Sequence, residues 1–207
     1  MEESVFTIGH STHSLDAFVA LLHLHGITAV CDVRSQPYSR FNPQFDREAL
    51  AKSLRDCGIS YVFLGNELGA RSEDPACYEA GRVQYGRLAD TAGFRHGLER
   101  VRNGMEDFRL ALMCAEKEPL ECHRGILVAR HLAAQGVEVQ HIHADGKLES
   151  HKHAMQRLLH ILKWPDRDMF RIHEEILADA YYAQEKRIAY DAAEGFVEDA
   201  RGSGNEA

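Results

Sequence analysis

The chain has 207 residues, enough for one domain of ordinary size with a real core rather than for two. It is 44% hydrophobic and 27% charged, which argues against a disordered chain, a disulfide mini-protein and a membrane-spanning chain. With 24 basic and 32 acidic side chains the net charge is −8, which argues against coating nucleic acid by charge alone though not against a local basic pocket, and an excess of thirteen histidines needs a reason.

Met1-Glu2-Glu3-Ser4 is acidic, and no signal peptide is expected there. Residues 4–8 read as a first strand. Ser14 caps a helix over residues 15–25, with Leu15, Phe18 and Leu22 on one stripe and Gly26 as its stop. Residues 28–33 form a second strand, apolar on both faces as a buried parallel strand is. Asp46 opens a helix that ends at Cys57-Gly58, and residues 61–64 form a third strand. Residues 65–86 are polar, with helix expected over 85–102. A fourth strand at 108–113, a helix at 122–134 and a fifth strand at 137–142 follow. This alternation predicts an α/β fold: a mostly parallel, Rossmann-like sheet of about five strands with flanking helices.

After Gly146 no further strand is expected. Residues 148–163 have helical spacing in Met155, Leu158, Leu159 and Leu162, and Trp164-Pro165-Asp166 breaks it. Residues 167–192 read as one long helix, with Phe170, Leu177 and Tyr181 on an apolar stripe that packs on the sheet or joins two copies. Residues 1–146 thus read as a sheet domain, 147–192 as a helical extension packed on it, and 193–207 as a disordered tail. Packing on the sheet is the expectation, and a homodimer interface is its rival, so the chain reads as a monomer or a homodimer.

Ligands of open parallel sheets bind at the carboxyl ends of the strands. Here those ends carry Gly9-His10-Ser11-Thr12-His13-Ser14, Asp32-Val33-Arg34-Ser35, Gly65-Asn66-Glu67-Leu68-Gly69, Cys114-Ala115-Glu116 and His141-Ile142-His143-Ala144-Asp145. Five polar strand ends at one edge point to a pocket. Cys122 stands where a helix begins, beside His123 and Arg124, and the dipole and cation there favour its thiolate. It reads as a reactive thiol or a metal ligand, or else as a small buried anchor. Cys31 and Cys57 read as inert core, and Cys77 as a loop residue. A cysteine-phosphatase loop needs Cys-x5-Arg, but Leu120 and Val128 stand where the arginine would be.

A divalent metal is a second use of the same residues, with Cys114, Cys122, His123 and His143 as candidate ligands. His141, His143 and Asp145 share one strand face by period two. His151 and His153 diverge by about 200° on a helix and read as a solvated face. For an anion, Arg34 and Arg40 could clamp a phosphate or carboxylate, with Ser11, Ser35, Arg71 and Arg124 alongside and Tyr38 stacking a ring. Asp32 or Glu116 would serve as acid or base, or as the partner of a buried arginine, and His10 would shuttle protons. No G-x-G-x-x-G or Walker loop is present, which disfavours nicotinamide and P-loop nucleotides.

Gly9-His10-Ser11, Asp32-Val33-Arg34-Ser35 with Pro37 and Ser39-Arg40, Pro43-Gln44-Phe45, Leu68-Gly69, Cys114-Ala115-Glu116, Cys122-His123-Arg124 and His141 together resemble the domain of unknown function 488 family. Each motif is short, but their order and spacing make the set specific. The resemblance runs from about Val5 to Tyr190 and implies a compact α/β protein; it implies no reaction. The residues themselves favour a cytoplasmic enzyme acting on a small anionic ligand or nucleic-acid end, with Cys122, Glu116, His10, Asp32 and His123 as catalytic candidates. The alternatives are a non-catalytic nucleotide or nucleic-acid binding module and a Cys/His metal protein. An odd cysteine count without a CxxC pair fits a reducing compartment, and no membrane partner is expected.

Overall fold

The computed structural model describes residues 4–192, so the expected tail at 193–207 lies outside the described residues. Five strands run parallel: β1 (Ser4–Gly9), β2 (Ala29–Asp32), β3 (Ser60–Phe63), β6 (Leu110–Cys114) and β7 (Glu138–Ile142). A short hairpin of β4 (Tyr78–Glu79) and β5 (Arg82–Val83) stands apart, and β8 (Leu148–Ser150) lies antiparallel on β7. The main sheet has the order β3-β2-β6-β1-β7-β8. Its helices are α1 (Leu15–Leu24), α2 (Arg47–Asp56), α3 (Gly65–Leu68), α4 (Tyr85–Ala89), α5 (Ala92–Asp107), α6 (Arg130–Ala134), α7 (His151–Leu162) and α8 (His173–Ile188).

Alternation along the strands makes two apolar layers. Phe6, Ile8, Val30, Ala111, Met113 and Ile142 face one side, where Phe18 and Leu22 of α1 and Leu50 and Leu54 of α2 cover them. Val5, Ala29, Cys31, Leu110, Leu112 and Cys114 face the other, against α5, α7 and α8. Ile176, Ala180 and Tyr181 of α8 belong to that same core. The chain leaves β1 through α1 on one face and β6 through α6 on the opposite face, so a crevice opens at the adjoining ends of β1 and β6.

Several expectations are corrected. A sixth strand, β8, follows Gly146, whose positive φ of 82° closes a turn in which the His143 N–H donates to the Lys147 carbonyl. Three residues are too short a run for periodicity to show. The long C-terminal helix begins at His173, not at 167, and Phe170 is 91% exposed before it. There the Asp168 side chain accepts from the Phe170 N–H, a local bond that competes with helix. The segment after Cys122 is a π-helical turn, Arg124–Ala129, before α6. Cys57 is exposed at the end of α2 rather than core, and Cys77 is buried. His151 is buried, not solvated, because Ser150 caps α7 and turns that first residue inward. Among the described residues no helix is long and apolar enough to cross a membrane.

Candidate functional site

Backbone hydrogen bonds carry the sheet ladder past the ends of β1 and β6. The His10 N–H donates to the Cys114 carbonyl and the Ser11 N–H to the Ala115 carbonyl, both at 2.9 Å. A side chain at Gly9 could not fit, since its Cβ would stand 1.9 Å from the Glu116 carbonyl oxygen. Arg124 is buried and donates to the Glu116 carbonyl at 2.6 Å and the Lys117 carbonyl at 3.1 Å. Gly9 and Arg124 thereby pin the loop that follows β6 from two sides. A 3-10 turn, Pro119–Glu121, then delivers Cys122 and His123 back against Cys114.

Four polar groups meet there. The Cys114 and Cys122 thiols both donate to Oε2 of Glu116, at 2.9 and 3.0 Å. Nδ1 of His123 lies 3.7 Å from the Cys114 sulfur and 3.9 Å from the Cys122 sulfur. Its Nε2 donates to the Val33 carbonyl at 3.0 Å, which leaves Nδ1 to face the sulfurs. Both cysteines and His123 are buried, whereas Glu116 is exposed as a residue and reaches inward with its carboxyl.

So many acidic groups in contact cannot all ionise. Burial raises the Cys114 thiol, and the neighbouring Cys122 raises it further. Burial also opposes a Cys122 thiolate, but the Cys114 hydrogen bond, Arg124 and His123 outweigh it and hold Cys122 well below an ordinary thiol. Burial and then Cys122 push the Glu116 carboxyl up. Burial works against a charged His123, and Cys122, Glu116 and the Val33 carbonyl overcome it to raise that ring. Of the two thiols, Cys122 is the one whose ionisation its neighbours favour and Cys114 the one whose ionisation they oppose.

Arg34 forms the adjoining wall. Its Nε and Nη2 donate to the Asp32 carboxylate at 2.9 and 2.7 Å, and Nη2 also to the Phe45 carbonyl. Tyr61 donates to the same carboxylate at 2.8 Å. Nη1 of Arg34 donates to Nε2 of His10 at 3.2 Å, while Nδ1 of His10 donates to the Ser11 carbonyl. His10 stacks on Phe45 and is pushed down to about 4, chiefly by burial. Its Nε2 accepts from Arg34, so the ring orients that guanidinium. Asp32 is the partner of a buried arginine and borders neither cavity.

Two cavities open on this wall. One, of about 310 Å³, is floored by Cys114, Cys122, His123 and Glu116 and walled by Arg34, Ser35, Tyr38 and Arg71. The other, of about 360 Å³, takes in His10, Ser11, Arg34, Tyr38 and Glu116. Shared residues make them two lobes of one cleft. The protein family described as "Domain of unknown function DUF488" matches residues 14–131, more than half of the chain. The chain belongs to that family. No curated protein and no solved structure matches it.

The family match covers the cleft residues from Arg34 to His123, while His10, Ser11, Ile188 and Tyr190 lie outside it. The DUF488 chain brings together Cys114, Glu116, Cys122 and His123, with Arg34, Ser35, Tyr38 and Arg71 at the rim and His10 and Ser11 in the second lobe. Arg40 is exposed and borders neither lobe, and Arg124 holds the loop from beneath. His143 is outside the cluster: its Nε2 bonds Glu149 at 3.0 Å, and Asp145 pairs with Lys147, because the β7–β8 turn carries both away. Among the described residues the set that could hold a metal ion is Cys114, Cys122 and His123, whose donor atoms lie within 4.8 Å of one another. Sequence reasoning missed Tyr85, Ile188 and Tyr190, which close the first lobe. Arg71 stacks over the Tyr190 ring at 4.2 Å, a pairing across most of the chain that no local motif announces.

Proposed function

We propose that the cleft is the active site of an enzyme acting on a small, anionic, phosphate-bearing molecule of nucleotide size. The supporting observation is the meeting of Cys114, Glu116, Cys122 and His123 on the floor of a cavity of about 310 Å³ that Arg34 and Arg71 border. That volume suits one small ligand. Arg71 takes the anion: it is exposed, and Ser35 accepts from its backbone N–H at 2.9 Å, which holds its base while the guanidinium reaches Gln36. Arg34 contributes field and shape, since Asp32, Phe45 and His10 already occupy its three nitrogens. Tyr38, 60% exposed at the rim, offers a ring face to a base. Glu116 moves a proton at the reacting atom, and the thiol and imidazole cluster beside it is the reactive floor. A reducing, cytoplasmic compartment keeps two such close thiols reduced.

The test is calorimetric binding and product detection with a panel of nucleotides, sugar phosphates and inorganic phosphate. At least one phosphate-bearing ligand should bind, and Arg71→Ala should weaken it by about 10- to 100-fold, as loss of a charge-assisted hydrogen bond does. Glu116→Gln should lower turnover by about 100-fold or more with binding retained. If no member of the panel binds, or Arg71→Ala binds as the parent does, the reading is wrong.

A further inference from the structure

We propose that Cys114, Cys122 and His123 bind one thiolate-loving divalent cation of the zinc class, with its fourth position open to the cleft. This names what the reactive floor holds, and only the role given to the fourth position rests on the proposed function.

Donor chemistry is the first argument. Two sulfurs and an imidazole nitrogen suit zinc far better than the hard cations that want oxygen. Geometry is the second. Bonds of about 2.3 Å to sulfur and about 2.0 Å to nitrogen put tetrahedral S and N ligands about 3.5 Å apart. The His123 Nδ1 to sulfur separations are 3.7 and 3.9 Å. A cation therefore enters with shifts of a few tenths of an ångström.

Orientation is the third argument. A metal-binding histidine typically donates its other nitrogen to a carbonyl or carboxylate, which fixes the ring and leaves one lone pair for the metal. Nε2 of His123 does this to Val33, and Nδ1 faces the thiols. Charge is the fourth. Two thiolates balance a divalent cation, so the loaded site is neutral and tolerates burial; on loading, both thiol protons leave to solvent. The scaffold is also held in advance, because Cys114 ends a central strand while Arg124 pins the loop between the ligands.

Among the described residues only three donors converge, the pattern of zinc sites that keep a place for water or substrate. Glu116 Oε2, at 2.9 and 3.0 Å from the sulfurs, stands closer than the roughly 3.5 Å between two ligands of one tetrahedral zinc. It is thus a neighbour of the ligands rather than a fourth one, and it lines the cleft beside them.

The test uses the reduced full chain, freed of metal and titrated with zinc and with cobalt. One zinc should bind per chain. Cobalt should give intense tetrahedral d–d bands together with thiolate-to-cobalt charge transfer. Zinc should shield Cys114 and Cys122 from alkylation, read by mass spectrometry, while exposed Cys57 stays labelled; this arm needs no variant to fold. Cys122→Ser and Cys114→Ser should each weaken zinc by more than the 10- to 100-fold typical of lost outer-shell contacts, and Cys57→Ser should leave it unchanged. Absence of stoichiometric binding, labelling of Cys114 and Cys122 that zinc does not alter, or cobalt spectra without thiolate charge transfer would overturn the site. Zinc binding without any phosphate ligand would defeat the enzyme reading alone, and phosphate binding without zinc would defeat this one alone.

Discussion

Two buried polar clusters share one face of the sheet and handle their protons in opposite ways. In one, Thr7, His141, His151 and Tyr181 form a chain of hydrogen bonds of 2.8, 3.0 and 2.7 Å. With both rings neutral, each of the three hydrogen bonds pairs one donor with one acceptor, whichever direction the chain runs. An added proton places a charge where no water can solvate it. Burial accordingly drives His141 well below an ordinary histidine and His151 to about 4. In the other, two thiols compete for one oxygen of Glu116 and His123 turns its free nitrogen to both. The first cluster is complete as it stands; the second is arranged for something more. Buried histidines alone do not mark a site, and unfinished proton sharing beside a cavity does.

The sharpest way to break this distinction is to damage a group assigned to the frame. Asp32 is fully buried and accepts from Arg34 and Tyr61. Asp32→Ala leaves a buried guanidinium without its counter-charge, and urea denaturation should show a loss of about 3–5 kcal/mol. A loss under about 1 kcal/mol would mean that the wall is less fixed than its contacts show.

Acid probes the complete chain as a whole. The unfolded His151 binds a proton near 6.5 and the folded one near 4, so the neutral ring is what folding favours. Its contribution is full above pH 6.5 and falls as pH drops toward 4, a difference of about 3 kcal/mol for this ring. Denaturation midpoints measured across that window should fall steeply, and His151→Phe should flatten the fall. An unchanged pH profile in that variant would remove the chain from the frame.

How far the sequence reached follows from distance along the chain. Cys114, Cys122 and His123 lie within one loop, so their meeting was legible, as was the parallel sheet from its apolar runs and caps. Their ligand set was overextended to His143 because a turn at Gly146, not strand periodicity, decides where that ring goes. The His151–Tyr181 bond joins residues 30 apart, and the Arg71–Tyr190 contact spans farther still. Such pairings depend on how α7 and α8 dock, which side-chain spacing within either helix does not encode. Histidine count was a poor guide for the same reason: the ring that completes the chain, His151, looked solvated.

Tyr181→Phe separates packing from proton sharing within the complete chain. The ring keeps its place under Arg130, whose guanidinium lies 4.4 Å from its centroid, and only the hydroxyl is lost. The His151 Nε2 then has no partner, and the expected cost is about 1–2 kcal/mol in the same denaturation assay. No measurable loss would show that water replaces the hydroxyl.

Glu116→Gln should have the smallest effect on folding, and that contrast carries the distinction to its end. The residue is exposed, and burial of its carboxyl together with Cys122 works against its charge rather than for it. A neutral amide of the same shape can still accept from a thiol through its oxygen and donate to a sulfur through its nitrogen. Folding stability should therefore change by no more than about 0.5 kcal/mol, as for an ordinary surface substitution. Alkylation rates at Cys122 in the same protein should change, because the group touching its sulfur has changed. A destabilisation above about 2 kcal/mol would put Glu116 in the frame with Asp32 and leave the cleft without its proton-moving group.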